Sequence, residues 1–360
     1  MRIRSLILPL TIIVSLLGLL HWFVYLMATQ GLNEVPVWLP AFMAVAWLMI
    51  PSSLLLSISR FHEKVLPLIM LGYVWLGTFG IAFFFACVQA VIVLLGITVT
   101  FPWMLYVVPV IALWSLRINI SGPQIIKHKL KGPDFMRSLR VVQISDLHVG
   151  NTILREKWLT GVTEKILPLN PDILVVTGDL ADGVFEKTAP MLAPLMKIQC
   201  QKFYITGNHE YIRGGDWEGH LSKLGFEVLH NTHVIIPRGG GKLLLAGVPD
   251  QHVIRFIPQR QSLPDMALKT SEDAGYKILL AHEPSSVFDI KNEKCDLLLS
   301  GHTHGGQIFP FGLFVRLQQP LAAGFKMING VLVFAHQGTG FWGPPMRWFT
   351  RSEIVEFSWE

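Results

Sequence analysis

Val141-Val142-Gln143-Ile144-Ser145-Asp146-Leu147-His148 is a short β-prone run that ends in two metal-capable side chains. The arrangement recurs down the chain. Ile173-Leu174-Val175-Val176-Thr177 leads into Gly178-Asp179, and Phe203-Tyr204-Ile205-Thr206 leads into Gly207-Asn208-His209-Glu210. Lys277-Ile278-Leu279-Leu280 leads into Ala281-His282-Glu283, and Asp296-Leu297-Leu298-Leu299-Ser300 into Gly301-His302-Thr303-His304. Open α/β sheets place their sites just beyond the carboxyl ends of strands. Five strand ends, each delivering an Asp, Asn or His, therefore predict one shared crevice.

The segments between these runs fit that reading. Residues 156–167 have helical spacing, and Asn170-Pro171 stops them before the next strand. Residues 190–197 are a second helical candidate. Past Asn231 short strands dominate, at 233–237, 242–247, 331–336 and 353–359. No internal repeat of fixed period is present. Alternating strand and helix followed by β-rich sequence predicts an α/β fold, layered around mixed sheets.

The first part of the chain is of another kind. Residues 1–116 carry four basic residues, Arg2, Arg4, Arg60 and Lys64, against Glu34 and Glu63. Spanning a bilayer takes about 20 mostly apolar residues. Residues 5–27, 37–58 and 66–97 supply three such stretches, and 101–116 a shorter fourth. The first is too long for the core of a secretory signal, has no Ala-x-Ala site after it, and is followed by more apolar stretches. Arg2 and Arg4 precede the first stretch, and Arg60 and Lys64 separate the second from the third. Arg117, Lys127, Lys129, Lys131, Arg137 and Arg140 follow the fourth. The other two loops hold no Lys or Arg. With four spans every basic residue falls on one side, which places both ends in the cytoplasm. Splitting the long third stretch into two spans breaks that pattern and reverses the orientation. The expected organisation is a transmembrane helical region at 1–118, a basic linker at 119–137 and a catalytic domain at 138–360. The linker either lies against anionic headgroups, at about 1 kcal/mol per basic residue near the surface, or is a plain solvated connector.

Of the formal charge of +5, +2 falls in residues 1–116 and +3 in the remainder. That is too mild a balance to point to nucleic acid. Cys87, Cys200 and Cys295 form neither a paired framework nor a metal spacing, so they read as incidental or buried thiols.

The chemistry follows from the donor types. Carboxylate, amide oxygen and imidazole, with no thiolate, suit hard or borderline divalent ions such as Mn, Fe or Zn. Two such ions about 3.5–4 Å apart need a ligand that touches both, and a carboxylate does that. Asp179, alone on its strand end, is the natural bridge. Gly178, Gly207 and Gly301 stand beside the ligands and let the backbone approach closely.

Taken together, the segments Asp-x-His, Gly-Asp, Gly-Asn-His-Glu, a lone His and Gly-His-x-His resemble the calcineurin-like metallophosphoesterases over residues 138–360. Gly301-His302-Thr303-His304-Gly305-Gly306-Gln307 and Gly338-Thr339-Gly340-Phe341-Trp342-Gly343-Pro344-Pro345 are similar to the bacterial membrane-anchored subgroup. The resemblance implies a four-layer α/β/β/α sandwich and a centre of two divalent metal ions. It implies Asp146, His148, Asp179 and His304 around the first ion, and Asp179, Asn208, His282 and His302 around the second. A hydroxide between the ions would attack phosphorus, with His209 meeting the phosphate and protonating the leaving oxygen. Glu210 is a candidate to orient His209.

Two aromatic runs, 309–314 and 341–349, suggest an amphiphilic substrate reached from the bilayer, with Phe311, Phe314, Trp342 and Trp348 beside the metals and Arg347 pairing with a phosphate. Core packing is the alternative for the aromatics, and a surface ion pair for Arg347. The reading is an integral membrane phosphohydrolase of the bacterial inner membrane, its catalytic domain cytoplasmic. It cleaves a phosphoester or pyrophosphate bond in a lipid-linked substrate. Hydrolysis of UDP-2,3-diacylglucosamine in lipid A synthesis is the sharpest candidate that the resemblance offers. A membrane-anchored phosphodiesterase of soluble nucleotides and an inactive receptor or scaffold are the rivals.

Overall fold

The computed structural model describes residues 4–57, 62–150 and 152–360. Arg2, Ile58 and Arg60, used in the span and topology expectations, lie outside the described residues. The chain divides into two compact units. One is Met1–Ile120 with Gly343–Trp348, and the other is Ser121–Trp342 with Phe349–Glu360.

The first unit consists of α1 (Arg4–Ala28), α2 (Trp38–Ser57), α3 (Leu66–Leu94) and α4 (Met104–Ile120). Three of these, at 11–28, 38–57 and 66–94, are long and apolar enough to cross a membrane. At 1.5 Å per residue the 29-residue α3 is about 44 Å long and unbroken, so the third apolar stretch is one helix and not two. The 17-residue α4 reaches only about 26 Å, against the ~30 Å of a bilayer core.

Polar atoms inside this unit find partners. Trp47 Nε1 donates to Val14 O at 2.9 Å, Trp75 Nε1 to His21 at 3.1 Å, and the Gln89 amide to Met27 O and to Gln30. A Cβ on Gly72 would collide with Ser53, so α2 and α3 pack backbone to backbone as small residues allow. Large apolar side chains such as Leu19, Trp22, Val110 and Trp114 face outward. The 343–348 segment belongs here as well. Trp348 packs on Phe84 and Phe85 with ring centroids 5.7 Å apart, and Arg347 N–H donates to Ser115 O at 3.1 Å.

The second unit holds two six-stranded sheets. In chain order the first contains β1 (Gln124–Leu130), β2 (Val141–Ile144), β3 (Ile173–Thr177), β4 (Gln201–Ile205), β5 (Glu227–Val228) and β12 (Glu353–Trp359). The second contains β6 (Thr232–Arg238), β7 (Gly241–Gly247), β8 (Tyr276–Leu280), β9 (Leu297–Ser300), β10 (Gly324–Ile328) and β11 (Val331–Ala335). Their orders are β1-β12-β2-β3-β4-β5 and β10-β11-β9-β8-β7-β6. β2, β3 and β4 run parallel, as do β7, β8 and β9.

Strand side chains alternate between faces, and here both faces are covered, which is why the strands read as unbroken apolar runs. Ile173 and Val175 of β3 join Leu243, Ile278, Leu280, Leu297 and Leu299 in the layer between the sheets. Leu174 and Val176 turn the other way, onto Leu159, Val162 and Ile166 of α5 (Glu156–Ile166). On the far side Leu244, Leu279 and Leu298 pack with Ala267 and Leu268 of a short helix, Pro264–Leu268. The result is a layered α/β/β/α arrangement of two mixed sheets.

The stretch expected as a basic linker differs. Gln124–Leu130 is a strand, paired along its whole length with β12. Lys127 pairs with Glu356 at 3.0 Å and Lys129 with Glu360 at 3.7 Å. Part of the positive charge is thus met within the sheet.

Candidate metal centre

Each expected ligand leaves the end of a parallel strand. Asp146 and His148 follow β2, Asp179 follows β3, and Asn208 opens α7, the Asn208–Arg213 helix that follows β4 (α6 is the short Phe185–Thr188 turn). In the second sheet His282 follows β8, and His302 and His304 follow β9. Buried polar groups pin the sheets together beneath them. The Gln143 amide donates to Thr177 Oγ1 at 2.8 Å and to Ser300 O at 3.0 Å, one contact in each sheet.

The backbone at these ends is unusual. Asp146, His148, Asp179, His302 and His304 all have φ between 48° and 66°. Left-handed backbone is disfavoured for residues bearing a Cβ and clusters at functional sites. The neighbouring glycines permit the convergence. A Cβ on Gly207 would fall against Asp179 Oδ1, and one on Gly301 against Asp146 Oδ2.

The expected ligands gather in two groups, Asp146 with His148 and His304, and Asp179 with His282 and His302, and the cluster of His148, Asp179 and His209 links them. His148 Nε2 and His304 Nε2 are 3.1 Å apart, and His302 Nδ1 and His282 Nε2 are 3.3 Å apart. Asp179 reaches toward both groups. Its Oδ2 is 3.2 Å from His282 Nε2 and 4.0 Å from His148 Nε2. His282 Nδ1 faces Thr177 O at 2.7 Å, which fixes the ring and leaves Nε2 for a metal. Asn208 Oδ1 is buried and has no hydrogen-bond partner. An orphaned amide oxygen together with imidazoles and carboxylates, most of them buried, is a donor set that fits two divalent ions.

Burial and charge set the titration of these groups. Burial lifts the Asp146 carboxyl to about 6, against the pull of His282. Burial also lowers His148 to about 4, which keeps it neutral and able to ligate. Burial opposes ionisation of Asp179, yet His282 and His209 outweigh it and hold the carboxyl well below the usual range.

His209 stands at the rim, its ring 4.6 Å from that of His148. Its Nδ1 is 2.9 Å from Asp182 Oδ1, and its backbone N–H donates to Asp179 Oδ1. Burial disfavours the imidazolium, but Asp179 and Asp182 prevail and raise its pKa to about 9. Asp182 was absent from the sequence expectations. The signal was its place three residues after Asp179, in the same ligand loop.

Glu210 does not take the role expected of it. Its carboxylate accepts the backbone N–H groups of Asp179, Leu180, Ala181 and Gly207 at 2.7–3.2 Å. It thereby ties the Asp179 loop to the start of α7, while Asp182 orients His209. Trp342 stands beside the site, its ring centroid 6.1 Å from His209, with its backbone bonded on both sides to the Gln307 amide. Phe311 and Phe314 lie on α11 (Phe311–Gln318), the helix that follows His304, and both are exposed. α8, α9 and α10 are the short helices Trp217–Lys223, Val253–Phe256 and Pro264–Leu268. Arg347 and Trp348 belong to the helical unit and are buried there.

Residues 139–306 match the family of calcineurin-like phosphoesterases. The chain is 33% identical over 266 residues to a Danio rerio transmembrane protein with metallophosphoesterase domain, an alignment that covers 70% of this chain and 60% of that one. It is 34% identical over 245 residues to an uncharacterized metallophosphoesterase of Helicobacter pylori, covering 66% and 64%. With an uncharacterized metallophosphoesterase of Aquifex aeolicus it shares 36% over 226 residues, covering 60% and 83%. The chain thus spans less than two-thirds of the length of the first two.

Proposed function

The chain belongs to the calcineurin-like phosphoesterase family, and from that premise we propose that it hydrolyses a phosphoester or pyrophosphate bond in a lipid-linked substrate. It is a metal-dependent phosphoester hydrolase with a centre of two divalent ions. The observation that carries the proposed assignment of ligands is the pair of donor groups meeting at Asp179. Asp146, His148 and His304 would hold one ion with Asp179, and Asn208, His282 and His302 would hold the other with Asp179. When bound, such ions would supply Lewis-acid polarisation of the phosphate and a water of lowered pKa. His209, cationic and fixed by Asp182, binds a phosphate oxygen and gives its proton to the leaving group.

The lipid-linked reading rests on what surrounds that centre. α11 exposes Phe311, Leu313, Phe314 and Leu317, buries none of its residues, and begins seven residues after His304. Trp342 is 55% exposed beside His209. An apolar helix next to a phosphate site suits acyl chains, each buried CH₂ contributing about 0.8 kcal/mol. The long apolar helices of the other unit keep such a substrate close. UDP-2,3-diacylglucosamine is the specific candidate. The charge placement favours a cytoplasmic catalytic unit, and the proposed location is a bacterial inner membrane.

The test uses purified full-length protein, a panel of phosphate-bearing lipids and their deacylated headgroups. Phe314→Ser with Trp342→Ser should slow turnover of the acylated substrate and spare a small soluble phosphodiester. Parallel losses on both would make these aromatics packing groups. Preference for the headgroup alone would favour a soluble-nucleotide phosphodiesterase.

A further inference from the structure

A third group of metal-capable side chains stands at the same edge of the second sheet. β7 ends at Gly247, and Asp250 follows it much as His282 follows β8. His252 lies two residues further on, and Glu283 is the neighbour of His282. His252 Nδ1 is 3.2 Å from Asp250 Oδ1 and 2.8 Å from Glu283 Oε1. One donor atom from each residue lies within 4.8 Å of the others.

Hydrogen bonds do not account for this arrangement. Asp250 and Glu283 are 1% and 4% exposed. A ring nitrogen offers at most one hydrogen, and His252 Nδ1 is in hydrogen-bonding geometry with Asp250 Oδ1. Glu283 Oε1, though only 2.8 Å from that nitrogen, has no hydrogen-bond partner, and neither has Asp250 Oδ2. The outer atoms are supplied. Asp250 Oδ1 accepts His252 N–H at 2.7 Å, while Glu283 Oε2 accepts from the Gln319 amide at 2.6 Å and Ser285 Oγ at 3.2 Å. Those contacts hold the carboxylates in place, while Asp250 Oδ2 meets no donor and Glu283 Oε1 faces only the ring nitrogen that Asp250 Oδ1 also claims. Two buried carboxylates thus face a single imidazole, and buried charge without compensation is costly.

The spacings match those of a coordination shell. Bonds of about 2.0–2.2 Å to one ion put adjacent ligand atoms roughly 2.8–3.6 Å apart, from octahedral to tetrahedral geometry, and the 3.2 and 2.8 Å separations from His252 Nδ1 fall in that range. The neighbouring dinuclear donors stand 3.1–3.3 Å apart. We propose that Asp250, His252 and Glu283 hold a third divalent cation beside the dinuclear pair. Imidazole with two carboxylates selects the borderline class, Mn or Zn, over softer ions. His252 is the partly exposed member of the three, so the ion keeps coordination positions open to solvent for water or a phosphate oxygen.

The test counts metal. Full-length protein in detergent is stripped with a chelator, saturated with Mn²⁺ alone, freed of loose ion by gel filtration and subjected to elemental analysis. Three ions per chain are expected for the parent, and two for His252→Ala and for the near-isosteric Asp250→Asn, so that either variant serves if the other folds poorly. Asp179→Ala, which strikes the dinuclear pair, should keep the third ion. A parent that saturates at two ions overturns the proposal, as does a count of three that survives both His252→Ala and Asp250→Asn.

Discussion

Asp182 supports His209 from outside the ligand set, and removing its charge gives the most discriminating test of the site. The contact is 2.9 Å between His209 Nδ1 and Asp182 Oδ1. Asp179 also raises His209, but it belongs to the proposed ligand set, which leaves Asp182 as the carboxylate in direct contact with that ring. A hydrogen bond to a charged partner contributes about 1.5–3 kcal/mol, against about 1 for a neutral one. Asp182→Asn keeps an acceptor and loses the charge, a difference of about 0.5–2 kcal/mol. At 1.36 kcal/mol per decade this lowers kcat about 2- to 30-fold. Asp182→Ala removes the whole bond and lowers it about 10- to 150-fold.

The pH profile moves as well. A proton donor works below its pKa, so activity falls as pH rises through that of His209, which Asp182 helps to hold at about 9. In both variants the alkaline limb should therefore move to lower pH. Metal content should persist, since Asp182 Oδ2 comes no closer than 4.0 Å to the His148 ring nitrogen. The assay is steady-state hydrolysis of a nitrophenyl ester and an alkyl ester across pH, with metal analysis of each preparation. The alkyl ester, with the poorer leaving group, should lose more. Equal losses on the two esters, or an unmoved alkaline limb, would refute the proton-donor role of His209 and its support by Asp182.

Asp179→Ala should abolish activity and lower the content of both ions of the pair, and retention of two ions at that centre by elemental analysis would remove the bridging assignment. Glu210→Ala leaves four buried amides without their acceptor. That costs about 3–5 kcal/mol, or roughly 6–20 °C in Tm for a unit of this size, as read by the loss of circular dichroism on heating. A reporter that works only outside the cytoplasm, fused after Glu360, should stay silent, and a signal from it would reverse the proposed orientation.

The ligand residues were readable because strand ends, glycines and donor types coincide in short windows. Asp146, Asp179 and His282 each follow an apolar run that could only be a covered strand. What escaped was tertiary. Glu210 sits next to His209 in sequence, yet its side chain turns back onto the amides of another loop, which no local pattern encodes. Asp250 had the same signature as the ligands, a donor shortly after the apolar strand 241–247, but it lacks the adjacent glycine-framed motif. The strand at 124–130 was hidden by its charges, since Lys127 and Lys129 read as linker until Glu356 and Glu360 come alongside. The 343–348 run, with two prolines and one tryptophan in six residues, offers no periodicity that would assign it to the helical unit.

The left-handed backbone at Asp146, His148, Asp179, His302 and His304 carries an evolutionary consequence. At about 1 kcal/mol for each residue, the ligand loops cost the fold on the order of 5 kcal/mol, a large share of the marginal stability of a typical domain. Glycine at any of these positions would relax the strain and destroy the site. Mutation in a lineage released from catalysis would therefore drift toward tougher, inert descendants, because stability and activity pull in opposite directions here. This chain keeps a metal-capable donor at all five strained positions.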